Sequence, residues 1–505
     1  MSRFLFGLGA ALTAISVAAA LWISMGTPEP DPAAEPGGGR RVTVEQKGRR
    51  TLRDRPSNEP ADPPERYRAA IAPGTAAPSS AAAPAQGALT TKPNVVLVIG
   101  CTVRKDQMSM HGGPANVTPR LTAMANAGVV FDDVIAAAPW TRAASTSIVT
   151  GSYAVSLGMV EPGEGRDERR LPDSVVTLAE HMQQRGYFTV GASANPNLSA
   201  TFGFQQGFDV YQPGEPRDWD NHDGTLVADA VVTAIKANRE SGDTRPVYAR
   251  MMMIDAHSIR TATGELLDPY REDDIPERIA QYRYHLNQLD HAVGYLQDRL
   301  APIGLDASNT VFVFVADHGE GMNYPRHHGY SHGQYLTPST NHVSWILQGP
   351  GVAAGHRVYG VASQIDVVPT LLELVGAPLA DPALVEGISL ASQVRGSGAP
   401  IPRASVWSDT WFQQSNRAAV FTRTRQCQDD FGSSEAQRAK GLFVPGCYDR
   451  VADPLYVTPV ADDALMTELR TWRAERTAHL PSVLAGTVDV DAELSQQLEK
   501  LGYRE

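Results

Sequence analysis

The chain has 505 residues, 42% of them apolar and 20% charged, with a formal net charge of −12. That composition allows a sizeable buried core, in one large domain with additions or in two of ordinary size. An acidic balance argues against nucleic acid as a partner, which needs concentrated Lys and Arg, and three cysteines are too few for a disulfide scaffold.

After Met1-Ser2-Arg3 come Phe4 to Met25, mostly apolar and without a charge; the first acidic residue is Glu29. One positive charge before a long apolar run reads as an export signal. Its length reaches the roughly 20 residues a helix needs to cross a bilayer, and Ala18-Ala19-Ala20 offers small residues near a cleavage point. Residues 1–25 are therefore read either as a membrane anchor or as a cleaved signal. With an anchor, Arg3 stays in the cytoplasm and the rest lies outside. The expected location is membrane-anchored, periplasmic or extracellular. Residues 26–92 are rich in Pro, Ala, Gly and Arg with almost no large apolar side chains, the composition of a disordered linker.

Order is expected from Pro93. Asn94-Val95-Val96-Leu97-Val98-Ile99-Gly100 is a continuous β-branched run, the pattern of a strand buried on both faces of a parallel sheet. Thr310 to Ala316, Phe188 to Ala192 and Val343 to Leu347 have the same character. Helices are predicted between them: one opened by Thr118-Pro119, one from about Pro276 to Leu300, and one over Asp366 to Leu374. Strands alternating with helices give an α/β domain over 93–400, with a mainly parallel sheet covered on both faces. Residues 401–505 read as a small C-terminal α+β subdomain, with short strands from Ala404 and a helix near Asp463 to His479. Cys427 and Cys447, twenty residues apart, either pair in an oxidising compartment or remain two thiols.

Ligands gather at the carboxyl ends of strands in open α/β sheets. Asp317-His318-Gly319-Glu320 follows the Thr310 run, with His327, His328 and His332 shortly after, a grouping suited to a metal or an anion. Asp255-Ala256-His257 repeats the theme after Met251-Met252-Met253.

These segments resemble the sulfatase branch of the alkaline-phosphatase superfamily. The apolar first strand is followed by Thr102-Val103-Arg104-Lys105-Asp106. Ala138-Pro139-Trp140-Thr141 through Ile148-Val149-Thr150-Gly151 resembles the nucleophile motif. Asn195-Pro196-Asn197-Leu198, Gly203 to Asp209, Asp317-His318-Gly319-Glu320, Gly349-Pro350-Gly351, Gln364 to Leu372 and Tyr448-Asp449-Arg450 follow in order. The resemblance runs from about Pro93 to His479. It implies an alkaline-phosphatase-like fold and one divalent metal held by Cys101, Thr141, Asp317 and His318. Thr141 is the implied nucleophile. His257, His328 and His332 are implied to bind the oxygens of a phosphate or sulfate ester, small or polymeric, or to assist the leaving group.

Three departures from the family pattern bear on activity. Cys101 stands where the family has an aspartate; a thiolate can bind Zn and serves Ca or Mg poorly, since these prefer oxygen, so either Zn or Mn is expected over Ca or Mg or a neutral thiol fills a vacated metal pocket. Thr141 cannot become formylglycine, which disfavours sulfate hydrolysis by that route and favours phosphorus chemistry. Ala143-Ala144-Ser145 lacks the family's basic residue, with Arg142 the nearest substitute. Two readings follow: an exported metal-dependent hydrolase or transferase, or a catalytically inactive binding module on the same fold.

Overall fold

The computed structural model describes residues 92–503 except 161–166, 214–222, 258–266, 274, 323–330, 380–381, 383–384, 441–442, 479, 481–485 and 502. The N-terminal apolar segment and nearly all of the linker lie outside the described residues, as does His328. Among the described residues no helix is long and apolar enough to cross a membrane.

Among the described residues, nine strands come from the N-terminal three quarters of the chain: β1 (Asn94–Gly100), β2 (Val129–Ile135), β3 (Asp167–Arg170), β4 (Phe188–Ser193), β5 (Val210–Pro213), β6 (Val247–Met253), β7 (Thr310–Ala316), β8 (His342–Gln348) and β9 (His356–Ser363). All but β3 join one eight-stranded sheet in the order β5-β4-β6-β1-β7-β8-β2-β9. Pairing is parallel throughout except at β8, which runs antiparallel to β7 and β2. The central strands β1, β4, β6 and β7 are buried along nearly their whole length. That is why they read as unbroken apolar runs rather than alternating ones.

The connecting helices are α1 (Pro119–Asn126), α2 (Thr141–Thr150), α3 (Leu178–Gln184), α4 (Gly224–Glu240), α5 (Glu277–Leu300) and α6 (Val367–Leu374). Pro119 stands at the first position of α1; its missing N–H costs nothing there. Asp290 of α5 accepts hydrogen bonds from Arg120 N (2.9 Å) and Leu121 N (2.7 Å), capping α1 from a neighbouring helix. Helix α3 opens on a capping box formed by Thr177 and Glu180.

A second sheet, of four antiparallel strands, holds β10 (Val406–Phe412), β11 (Ser415–Phe421), β12 (Arg425–Asp430) and β13 (Gly446–Asp449), with α7 (Asp463–Ala478) packed on it through Leu465, Leu469 and Trp472. Cys427 and Cys447 face each other across β12 and β13 and form a disulfide. The chain ends in an element the sequence reading does not contain. Strand β14 (Gly486–Asp489) pairs with β3 and leads into α8 (Ala492–Lys500).

Candidate active site

Four neighbouring parallel strands deliver the candidate residues at their carboxyl ends. Cys101 follows β1, Asp317 and His318 follow β7, His257 lies just past β6, and Asn195 just past β4. Thr141 is the first residue of α2, where the helix macrodipole and open N–H groups favour a bound anion.

The turn that presents Cys101 is unusual. Thr102 has φ of 56°, a left-handed conformation that costs a β-branched residue on the order of 1–3 kcal/mol. It is held there by two hydrogen bonds. Its N–H donates to Asp317 Oδ1 at 2.9 Å, and its carbonyl accepts from the Tyr282 hydroxyl at 2.7 Å. On the facing strand, a Cβ added to Gly319 would lie 1.8 Å from the Ser339 carbonyl oxygen, so only glycine lets the Asp317-His318 corner pack this closely.

The Cys101 sulfur, an Asp317 carboxylate oxygen and a His318 ring nitrogen lie within 4.8 Å of one another, all buried. Asp317 Oδ1 is used by the backbone N–H of Thr102 and of His318 (2.6 Å). Its other oxygen, Oδ2, lacks a hydrogen bond of normal geometry and stands 3.4 Å from His318 Nε2. His318 Nδ1 lies 2.8 Å from the Gly319 carbonyl oxygen. Donation to that carbonyl assigns the proton to Nδ1 and leaves the Nε2 lone pair facing the cluster, as for a metal-binding imidazole. Nε2 is also 3.2 Å from Thr141 Oγ1, which is 3.6 Å from Cys101 Sγ.

Burial dominates the electrostatics. It drives the His318 imidazole well below its ordinary range and lifts the Asp317 carboxyl to about 7. Burial, reinforced by Asp317, lifts the Cys101 thiol well above its usual value. An orphaned carboxylate oxygen and a thiol, each disfavouring its charged form except beside a cation, converge with a neutral imidazole on one point and fit a divalent ion.

His257 and His332 complete the enclosure. Their rings meet edge to face at 5.3 Å, and His332 lies 4.4 Å from the His318 ring. Burial opposes the charge of His332, but Glu320, 3.1 Å from its Nδ1, raises the imidazolium's range above the ordinary one. The structure thus brings together Cys101, Thr141, His257, Asp317, His318 and His332. Arg142 does not join them: its guanidinium pairs with Glu168 at 2.5 Å, bonds Asn197 Oδ1 at 2.9 Å and lies 3.7 Å from the Phe202 ring centroid.

Two further residues enter the site. Asn195, noted in sequence only as part of a mid-chain signature, approaches Cys101 Sγ at 3.5 Å through Nδ2. Tyr503, past the end of α8, places its hydroxyl 2.6 Å from Thr141 Oγ1, 3.0 Å from His257 Nε2 and 3.1 Å from Asn195 Nδ2. No local signal marks Tyr503; only the apolar spacing of Leu494, Leu498 and Leu501 hints at a helix docked before it.

The sulfatase family model matches residues 93–377, more than half of the chain. The chain belongs to the sulfatase family. Human arylsulfatase A is 25% identical over 405 residues, covering 72% of this chain and 79% of that protein. An arylsulfatase of Clostridium perfringens is 23% identical over 414 residues, covering 63% and 80%. Among solved structures, a 2-O GAG sulfatase superposes with a TM-score of 0.62 at 18% identity, covering 80% of this chain and 96% of that one. The phosphonate monoester hydrolase of Agrobacterium radiobacter superposes at 0.58 with 18% identity, covering 79% and 100%. This sulfatase-family chain therefore has the alkaline-phosphatase-like fold, in a family that generally uses a divalent metal.

Proposed function

We propose that this sulfatase-family chain is an exported, metal-dependent hydrolase or transferase of phosphate or sulfate esters, with Thr141 as nucleophile. The observation that carries the reading is the convergence of Thr141 Oγ1 with His318 Nε2 and Cys101 Sγ at a helix N-terminus. Cys101, Asp317 and His318 would hold the ion, Zn or Mn in preference to Ca or Mg. A bound divalent ion lowers the pKa of a neighbouring hydroxyl and neutralises charge on the ester oxygens.

Thr141 Oγ1 gives up its proton to solvent and forms the new bond to phosphorus or sulfur while the bond to the ester oxygen breaks and the departing oxygen takes up a proton; water, or an acceptor hydroxyl in a transferase, then displaces the group from Thr141 and restores its hydroxyl. His332, whose imidazolium Glu320 favours, is the group placed to supply positive charge or that proton. His257 and Asn195 offer further donors to the transferred oxygens. His328 retains the oxygen-binding role its motif implies. A threonine cannot form the formylglycine of family sulfatases, so phosphate esters are the first substrates to test; the human and Clostridium relatives are arylsulfatases, which keeps sulfate esters in the panel.

The second reading, a non-catalytic binding module, is favoured by one observation: Arg142, the substitute for the missing basic residue, is engaged with Glu168 and Asn197. Metal analysis of the purified chain separates the two readings. One tightly bound Zn or Mn per chain is expected, with ester turnover that falls about a thousandfold or more in Thr141→Ala. No metal after incubation with Zn, Mn, Ca and Mg, and no turnover, would leave the binding module.

A further inference from the structure

The Tyr503 hydroxyl lies where no substrate-ready site can tolerate it. An attacked phosphorus or sulfur must come within roughly 3–3.5 Å of the nucleophilic oxygen, yet at 2.6 Å from Thr141 Oγ1 that space already holds the phenol oxygen. The same oxygen takes up His257 Nε2 and Asn195 Nδ2 and lies 4.0 Å from Cys101 Sγ. The ring is enclosed by His257 (centroids 5.4 Å apart), His332 (5.9 Å) and Phe412 (6.5 Å).

The element that carries Tyr503 docks on the main core through Val490, Leu494, Leu498 and Leu501 but takes no place in the eight-stranded sheet. Among the described residues strand β14 pairs with β3 alone, in a two-stranded ribbon apart from the main sheet; such ribbons are marginal alone. Asp491 caps α8 through Leu494 N at 2.8 Å, and Leu494, Leu498 and Leu501 bury one face of it. Glu168 of β3, in register with Val488, holds Arg142, the residue after the nucleophile. The arm can therefore lift without breaking a strand pair of the eight-stranded sheet.

We propose that the C-terminal arm, Gly486 to Tyr503, is a latch. The Tyr503 hydroxyl occupies the position of the substrate's transferable group, and the arm must release before an ester enters. The proposal rests on the reading of Thr141 as the centre of the site.

The test compares the full Zn-loaded chain with Tyr503→Gly and with a version ending at Val490, titrating inorganic phosphate and tungstate by calorimetry. If the latch is closed most of the time, both variants bind the oxyanion about ten- to a hundredfold more tightly than the parent. Tungstate then also speeds amide exchange over residues 491–501 of the full chain. Equal affinity in all three proteins, tighter binding by the parent, or no oxyanion binding by any of them overturns the proposal. Should the shortened chain fail to fold, Tyr503→Gly keeps the arm and decides alone. Tighter oxyanion binding without hydrolysis of p-nitrophenyl phosphate or sulfate supports the latch and counts against the hydrolase reading. Equal turnover by parent and Tyr503→Gly overturns the latch and leaves that reading standing.

Discussion

Cys101 sits at the carboxyl end of the central strand, where burial and Asp317 both resist its ionisation. Cys101→Asp would place two carboxylates side by side, which destabilises the metal-free protein by about 1–3 kcal/mol and creates the oxygen-rich donor set that Mn²⁺ and Mg²⁺ prefer. The expected outcome is a lower metal-free melting temperature restored by Mn²⁺; a variant that melts lower and is not rescued would mark a pocket that has lost metal binding altogether. Away from the site, Arg450 forms a buried pair with Asp133, at 2.6 and 3.0 Å, which also faces His342. Arg450→Met leaves that carboxylate to His342 and Lys105 alone and should cost about 3 kcal/mol in urea denaturation. Lys105 shares the same pocket, and burial draws its ammonium from 10.5 down to about 8 despite Asp133. Between those values the unfolded chain holds the proton more tightly, so this lysine's contribution to stability rises with pH across the window and is lost as pH falls toward 8. Relative to Lys105→Met, the parent should gain on the order of 2 kcal/mol between about pH 8 and about pH 10.

At the scale of elements, the buried strands were the most readable part. The run from Thr310 to Ala316 matches β7 residue for residue, and the helix expected from Pro276 begins at Glu277, because continuous burial leaves a continuous apolar signature. The corner residues Cys101, Asp317 and His318 were readable for a related reason: each stands immediately after such a run. Tyr503 was not. A tyrosine in a polar tail carries no periodicity of its own, and its partner Thr141 is 362 positions away. Asn195 was half readable, as part of a motif without a role. The pairing of Cys427 with Cys447 stayed open in sequence, since spacing alone does not fix connectivity; their direct opposition across β12 and β13 decides it. Opening that bridge by Cys447→Ser should cost about 3 kcal/mol, from the loop of twenty residues it closes, and should loosen the four-stranded sheet before the eight-stranded one in amide exchange.

For the whole molecule, the disulfide reports the compartment. Protein recovered from an exported pool should show one thiol after denaturation, Cys101, and protein trapped in a reducing cytoplasm should show three.

The order of strands in the main sheet bears on how the chain is made. β1 emerges first, yet both of its neighbours come late: Asn94 bonds to Val247, 153 positions on, and the β1–β7 corner joins Thr102 to Asp317 across 215. Loop closure over such spans is slow, and a β1 strand without β6 and β7 has nothing to pair with. Synthesised from the amino end, β1 can join β4, β5 and β6 once residue 253 has cleared, but β2 waits for β8 and β9, and the Cys101–Asp317 corner stays open until residue 317 has emerged.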